Sequence, residues 1–331
     1  MLRLPQFGIE TPSTVEDAVR LLKAPGARVV AGGTDILPNL KHHLDTPPVL
    51  VSLAAVGALR EIRVEEGALV IGAGVTLAEV SEHDLVRAHA PSLAEAAGVV
   101  AGPLHRNMGT LGGNVNLDVR CRYVNQTKFW RDALGGGCLK SEGNVCHVVP
   151  KGRNCVAALS ADTVPVLVSL DARFDLVGGE APRTVEAVDY YRADGIAHLV
   201  KEPGELMTAV HIPISTTPRR ATYTKWSVRE TIDFPLVSAA LRFDLEEDSP
   251  HGVITAAKVV VGVLNPRPRV VGKLDDVIGK KLSDPAVARI VSEAVHKQCK
   301  PLENVPFEAP YRRSMLKVLT RRAVEALAGR T

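Results

Sequence analysis

Long hydrophobic runs are missing from this 331-residue sequence: no window approaches eighteen apolar residues, so no transmembrane helix is expected. The opening Met1-Leu-Arg-Leu-Pro-Gln-Phe7 lacks the apolar stretch that a secretory signal needs. A strong excess of one charge is missing too. The 40 Lys and Arg stand against 37 Asp and Glu, and a net +3 gives no broad footprint for nucleic acid. A soluble, cytoplasmic protein is the expectation, with neither a membrane nor a nucleic acid as partner. Cysteine is scarce, five in all, and the odd count argues against a closed disulfide framework. In the cytosol, the few cysteines that do cluster are more often ligands or redox groups.

The chain is long enough for two domains with ample core. Ser13 with Glu16 reads as a capping box opening a helix that carries Val15, Ala18, Val19 and Leu22. Pro25-Gly26 ends it, and Arg28 to Ala31 and Leu50 to Leu53 read as strands. Glu61 to Val64 and Ala68 to Ala73 form a hairpin through Glu65-Glu-Gly67, and Thr76 with Glu79 and Ser92 with Glu95 mark helix starts. Residues 117–159 show no clear periodicity and read as an irregular insert. The run Val164-Pro-Val-Leu-Val-Ser-Leu170 has strand character. Pro213 to Arg220 is the best linker. Beyond it, Val237 to Leu245 and Ile254 to Leu264 read as strands, Asp284-Pro285 opens a helix, and a last helix runs from about Pro310 to Leu327. Short strands mixed with capped helices, without regular βαβ alternation, indicate an α+β fold.

Two glycine-rich loops carry the first chemistry. Val29-Val-Ala-Gly-Gly-Thr-Asp35 offers consecutive backbone N–H groups with little side-chain obstruction, a form suited to an anion such as a pyrophosphate, and Thr34 adds a hydroxyl. The G-x-G-x-x-G fingerprint of dinucleotide folds is absent. Gly109-Thr-Leu-Gly-Gly-Asn114 repeats the pattern. Each loop alone is also compatible with an ordinary turn.

The spacing of the clustered cysteines is Cys121-x16-Cys138-x7-Cys146-x8-Cys155, with no C-x2-C pair of the ferredoxin or zinc-ribbon kind. The segment has too little apolar periodicity to build its own core, so a bound inorganic centre is a reasonable ordering agent. Four thiolates suit either 4Fe–4S or zinc, and His147 beside Cys146 admits a Cys3His zinc site. Cys299, on the apolar-periodic helix after Asp284, reads as inert. Arg229 and Asp233, four residues apart, read as a structural ion pair. His105 reads as an exposed loop histidine, although it could approach a ring cofactor. The cations Arg312, Arg313, Lys317, Arg321 and Arg322 read as a solvated helix face.

The first loop, the stretch Arg106-Asn-Met-Gly-Thr-Leu-Gly-Gly-Asn114, and Ser160-Ala-Asp162-Thr-Val-Pro-Val-Leu resemble the FAD-binding subunit of the xanthine oxidase family of molybdenum enzymes. Glu205-Leu-Met-Thr-Ala-Val-His-Ile-Pro213 and Lys225-Trp-Ser-Val-Arg229 with Asp233 and Val237 extend the resemblance over most of the chain. It implies a bipartite FAD-binding domain of the PCMH type over residues 1–216, with the insert at about 117–159, and a small α+β C-terminal flavoprotein domain over 217–331. In that family the Gly-Gly-Asn run is followed within a few residues by the Ser-x-Asp segment. Here 43 residues separate Asn116 from Ser160, and all four clustered cysteines lie among them. That departure resembles the flavin subunit of the 4-hydroxybenzoyl-CoA reductases, which carries an additional 4Fe–4S cluster in such an insert.

The resemblance implies that Val29, Val30, Ala31, Gly32, Gly33, Thr34, Asp35 and Ile36, together with Thr110, Gly112, Gly113 and Asn114, cradle the FAD diphosphate. It implies that Asp162 binds ribityl or adenosine hydroxyls, that Lys225 meets the flavin ring or its phosphates, and that Cys121, Cys138, Cys146 and Cys155 hold 4Fe–4S. The implied partners are a small 2Fe–2S subunit and a large molybdopterin subunit in a dimer of heterotrimers, with ferredoxin as electron donor. The implied reaction is reductive removal of an aromatic hydroxyl from a CoA thioester on the large subunit. Two other readings stay open: a molybdenum hydroxylase subunit passing electrons outward to NAD or another acceptor, its insert holding zinc or an auxiliary cluster, and a scaffold that binds no flavin.

Overall fold

The computed structural model describes residues 2–329. Three sheets organise it. In the first, β1 (Gly8–Glu10), β2 (Arg28–Val30) and β3 (Val49–Ser52) pair in parallel in the order β1-β3-β2. The helix Val15–Leu22 connects the outer two strands, buries Ala18 and Leu22, and is capped by Thr14, whose hydroxyl accepts from Asp17 N at 3.1 Å. The cap expected at Ser13 thus falls one residue later. The second sheet is antiparallel, with β4 (Ile62–Glu65), β5 (Ala68–Gly72), β6 (Arg173–Val177), β7 (Arg183–Glu186) and β8 (Leu206–Pro213) in the order β4-β5-β8-β6-β7. β5 lies between two neighbours and all five of its residues are buried. The expected hairpin forms, and Thr76 with Glu79 makes the expected capping box.

Beyond the second sheet comes an antiparallel sheet of β9 (Arg219–Trp226), β10 (Val237–Leu245), β11 (Ile254–Gly262) and β12 (Arg269–Val270), ordered β12-β11-β10-β9. All nine residues of β10 are buried. The twofold alternation of a strand explains how. Val237, Ala239, Leu241, Phe243 and Leu245 enter a core shared with the helices Pro285–Gln298 and Ala309–Leu327, whereas Ala240 joins the core of the first part of the chain. One strand therefore supplies side chains to two cores.

Two expectations fail here. Residues Thr163–Ser169 form a helix, not a strand, and every residue of it is buried. The short apolar run at residues 164–168 has no polar face to reveal its period, and packing on both sides decides its state. Pro165 sits in the first turn, where its missing N–H costs nothing, and meets Gly262 of β11. Ser92 is not a cap either: the helix begins at Pro91, and the Ser92 hydroxyl is buried without a partner. Glu95 reaches across to β9 and accepts from Thr222 Oγ1 at 3.0 Å and Tyr223 N at 3.1 Å.

Candidate functional site

The two glycine-rich loops meet. Gly32 lies so close to the second loop that a Cβ there would stand 1.9 Å from Met108 O, and Gly33 has φ +72°, so both positions need glycine. Among the described residues, the N–H groups of Gly32, Gly33, Thr34 and Asp35 have no hydrogen-bond partner within the chain. They form a run of donors at the start of the helix Ile36–Lys41. The second loop differs. Leu111 N donates to Val75 O, Gly112 N to Ala73 O, Asn114 N to Thr110 O, and Gly113 N to Thr110 Oγ1 at 3.0 Å. Two of its N–H groups fasten it to the core and two close its own turn on Thr110, and it serves as the floor against which the first loop packs. Asn114 accepts from Thr163 N and Oγ1 at 3.2 and 2.6 Å, which ties the second loop to the segment after the insert.

A cavity of about 460 Å³, a size ordinary for a cofactor pocket, is joined to the first loop through Arg120. Its lining includes Arg120, Cys121, Ser160, Phe234, Leu236 and Val305, from both parts of the chain. Arg120 pairs with Asp35 of the first loop, donates to Asn39 Oδ1 at 3.1 Å, and lies 4.8 Å from the Phe234 ring centroid. Burial pulls its pKa down to about 10, so the guanidinium still keeps its charge at neutral pH. Arg229 and Asp233 also line the cavity and form the expected pair, Nε to Oδ1 at 2.8 Å.

Asp162 and Lys225 lie in a different setting. Asp162 is 2% exposed, accepts from Tyr223 OH at 2.8 Å and pairs with Lys225 Nζ at 3.1 Å. Burial raises its pKa against the opposing pull of Lys225. Lys225 also donates to Val99 O at 2.6 Å. The pair joins β9 to the segment after the insert, and neither residue is among those lining the cavity. The cation facing the cavity from beside the first loop is Arg120. Sequence reasoning missed it, although its place next to Cys121 was a usable signal. His105 is exposed on a single helical turn, away from the cavity lining.

The insert closes on itself. Arg120 and Ala158 exchange both backbone hydrogen bonds at 2.7 Å, so its ends meet at a neck. Above the neck, Cys121, Cys138, Cys146 and Cys155 all line one small apolar pocket, together with Tyr123, Leu139 and His147. All four are free thiols, and Cys138 alone is not buried. Backbone N–H groups are directed at the sulfurs: those of Tyr123 and Val124 at Cys121, that of Ala157 at Cys155, and Val149 N at Cys146 Sγ, 3.4 Å away. Ser141 Oγ stands 3.6 Å from Cys138 Sγ. His147 Nε2 is buried without a partner. The expected metal site is nevertheless only partly drawn together. Among the described residues, no three His, Cys, Asp or Glu side chains converge closely enough to hold a metal ion. Burial pushes the Cys121 thiol up to about 11 and raises that of Cys155, so both are neutral and pack as small apolar groups on the pocket wall. Cys121 also lines the 460 Å³ cavity, so one residue forms a wall of both spaces.

Residues 5–215 match the family described as FAD binding domain in molybdopterin dehydrogenase. The chain belongs to this family. It is an FAD subunit of the molybdopterin dehydrogenases, and its residues 222–327 match the CO dehydrogenase flavoprotein C-terminal domain. Among its relatives are the carbon monoxide dehydrogenase medium chain of Afipia carboxidovorans, 31% identical over 98% of this chain and 97% of that one, and the glyceraldehyde dehydrogenase medium chain of Sulfolobus acidocaldarius, 25% identical over 98% and 99%. A solved CO dehydrogenase from Oligotropha carboxidovorans superimposes with a TM-score of 0.79 at 27% identity, covering 99% of this chain and all of that one. The mixed fold and the FAD-binding domain expected from the sequence are those of the family. Among the described residues, no helix is long and apolar enough to cross a membrane.

Proposed function

We propose that this oxidoreductase chain is the FAD- and 4Fe–4S-carrying subunit of a molybdenum-containing reductase of the 4-hydroxybenzoyl-CoA reductase type. The observation that carries the reading is the pocket lined by all four clustered cysteines, which shares Cys121 with the cavity whose Arg120 pairs with Asp35 of the first glycine-rich loop. When bound, FAD supplies one- and two-electron redox chemistry and a 4Fe–4S cluster one-electron chemistry, a combination suited to a chain between a ferredoxin donor and the partner subunits.

The chain's own residues divide the work. Gly32 to Asp35 present their N–H groups to the diphosphate, Thr34 adds its hydroxyl, and the second loop from Thr110 to Asn114 fixes their position. Arg120 holds Asp35 and places a cation at the cavity wall. Asp162 and Lys225 act by fixing β9 against the segment after the insert. The four cysteines are the ligand set for the cluster. The N–H groups directed at their sulfurs favour the thiolate form, and the apolar lining limits water, both of which tune a potential. Residues 1–216 are the FAD-binding domain on this reading and 217–331 the C-terminal domain. The relatives' designation as medium chains supports partner subunits, which we assign as a small 2Fe–2S chain and a large molybdopterin chain in a dimer of heterotrimers. The dehydroxylation of an aromatic acyl-CoA takes place on the large one.

A second reading has support in the relatives' names, which are those of dehydrogenases: electrons leave through FAD to NAD or another acceptor. The test is iron, acid-labile sulfide, zinc and FAD per chain on anaerobically purified protein, repeated with Cys138→Ser. About four iron and four sulfide with FAD, the iron lost in the variant, is the expected result. FAD with zinc and no sulfide would refute the cluster and favour the second reading. Absence of FAD would leave only a scaffold.

A further inference from the structure

The cysteine pocket has two distinguishable ends. Cys121 is buried and faces the 460 Å³ cavity, whereas Cys138 is the one clustered cysteine that reaches toward solvent. At that outer end the insert carries one short helix, Lys128–Ala133, capped by Thr127. Its side chains are distributed against the usual rule. Phe129 is 76% exposed, Trp130 55% and Leu134 46%, while the one buried residue of the helix is Arg131, at 2%. Aromatic residues make up only 4% of the sequence, and one of its two tryptophans stands in the open here.

The inversion is built in. Arg131 turns inward, pairs with Glu142 at 2.9 Å, and donates to His42 O at 3.2 Å and Gln126 O at 2.7 Å. This fixes the helix as a rigid base with its aromatic side outward. The same base is continuous with the cysteine pocket. Gly136 N donates to Arg131 O, and Gly137 lies directly against the backbone of Glu142, the partner of Arg131. Cys138 follows. Charge adds a sign to the surface. In the insert, Arg120 and Arg131 are turned inward and paired, whereas Arg122, Lys128, Lys151 and Arg153 are exposed, against exposed Asp132 and Glu142. Lys151 and Arg153, between Cys146 and Cys155, have no ion-pair partner among the described residues.

We propose that the Phe129–Trp130 face, within this basic insert, is the docking surface for an acidic one-electron carrier protein. Rigid exposed aromatics are the residues that anchor protein contacts, and the opposite charges steer the encounter. The carrier is oxidised by one electron, which the holoenzyme accepts, and no bond forms or breaks. The inference rests on the reductase reading above.

The test uses the intact anaerobic holoenzyme and a purified acidic 2[4Fe–4S] bacterial ferredoxin, with reduced methyl viologen as a small reductant that needs no docking. Reduction is followed by stopped flow. Trp130→Ala and Lys151→Glu are each expected to slow reduction by ferredoxin about tenfold or more, with the viologen rate, iron content and melting temperature unchanged. The wild-type ferredoxin rate should fall as salt rises, and Lys151→Glu should flatten that dependence. If wild type is reduced by ferredoxin and both variants match it, the surface is wrong and the reductase reading stands. If viologen reduces wild type and ferredoxin does not, the reductase reading falls and the surface with it. If Trp130→Ala separates the subunits on gel filtration, the face is a subunit contact and the proposal is overturned.

Discussion

Arg120 meets Asp35 of the first glycine-rich loop, Asn39 of the following helix and Phe234 of the C-terminal part, and it precedes Cys121. Charge-assisted hydrogen bonds of this kind contribute roughly 1.5–3 kcal/mol each. Arg120→Gln is therefore expected to weaken FAD binding about ten- to a hundredfold, read by flavin fluorescence titration, while Arg120→Lys recovers part of it. Unchanged affinity would remove Arg120 from the site. At Gly32 the argument is steric. A methyl group 1.9 Å from Met108 O forces the two loops apart, so Gly32→Ala should yield protein depleted in FAD and destabilised by about 1–3 kcal/mol in urea melts. Arg312 corrects the reading of the last helix as a solvated basic face. It is fully buried and donates to Leu236 O, Leu302 O and Val263 O at 3.0, 2.7 and 3.0 Å. Its sequence neighbours Arg321 and Arg322 are exposed, and nothing in the helical period separated it from them, because its partners are carbonyls that carry no residue-type signal.

At the level of elements, the insert helix depends on one ion pair. The Arg131 guanidinium holds Glu142 down at about 2, well below the ordinary glutamate range. A carboxyl with a depressed folded pKa contributes stability above its unfolded pKa, near 4.5, and loses it as pH falls toward 2, because the unfolded chain takes up the proton first. Melting temperatures between pH 5 and pH 3 should thus fall less steeply for Glu142→Gln than for wild type. Equal slopes would mean that the pair is screened by solvent. The elements that sequence located well are those with local signals: the Thr76–Glu79 box, the hairpin through Gly67, and the Asp284 cap, whose carboxylate accepts from Ala286 N at 2.8 Å. The helix Thr163–Ser169 was missed because burial on every side erases its period. The glycine loops were legible as loops. The division of labour between them was not, since it depends on distant carbonyls at Ala73 and Val75. In the same way, the cysteines were visible as a group, whereas the cavity that shares Cys121 required Phe234 and Val305 from far along the chain.

Over the whole molecule, β10 places alternate side chains in two cores, and ionic contacts reinforce the junction. Arg242 and Lys258 of the C-terminal sheet both pair with Asp171, and Asn304 donates to Val156 O at 2.7 Å and Leu264 O at 3.0 Å. Neither core can lose β10 and stay closed. Calorimetry on the isolated chain should then show one transition whose calorimetric and van't Hoff enthalpies agree. Two separate transitions would show that the two parts are thermally independent.

The neck at Arg120 and Ala158 bears on the modularity of this chain. Two backbone hydrogen bonds are all that a short antiparallel turn requires, so a genetic deletion from 122 to 156 leaves ends already at bonding distance. The insert is thus separable as one cassette, whose removal would leave the glycine-rich loops and the second sheet in place.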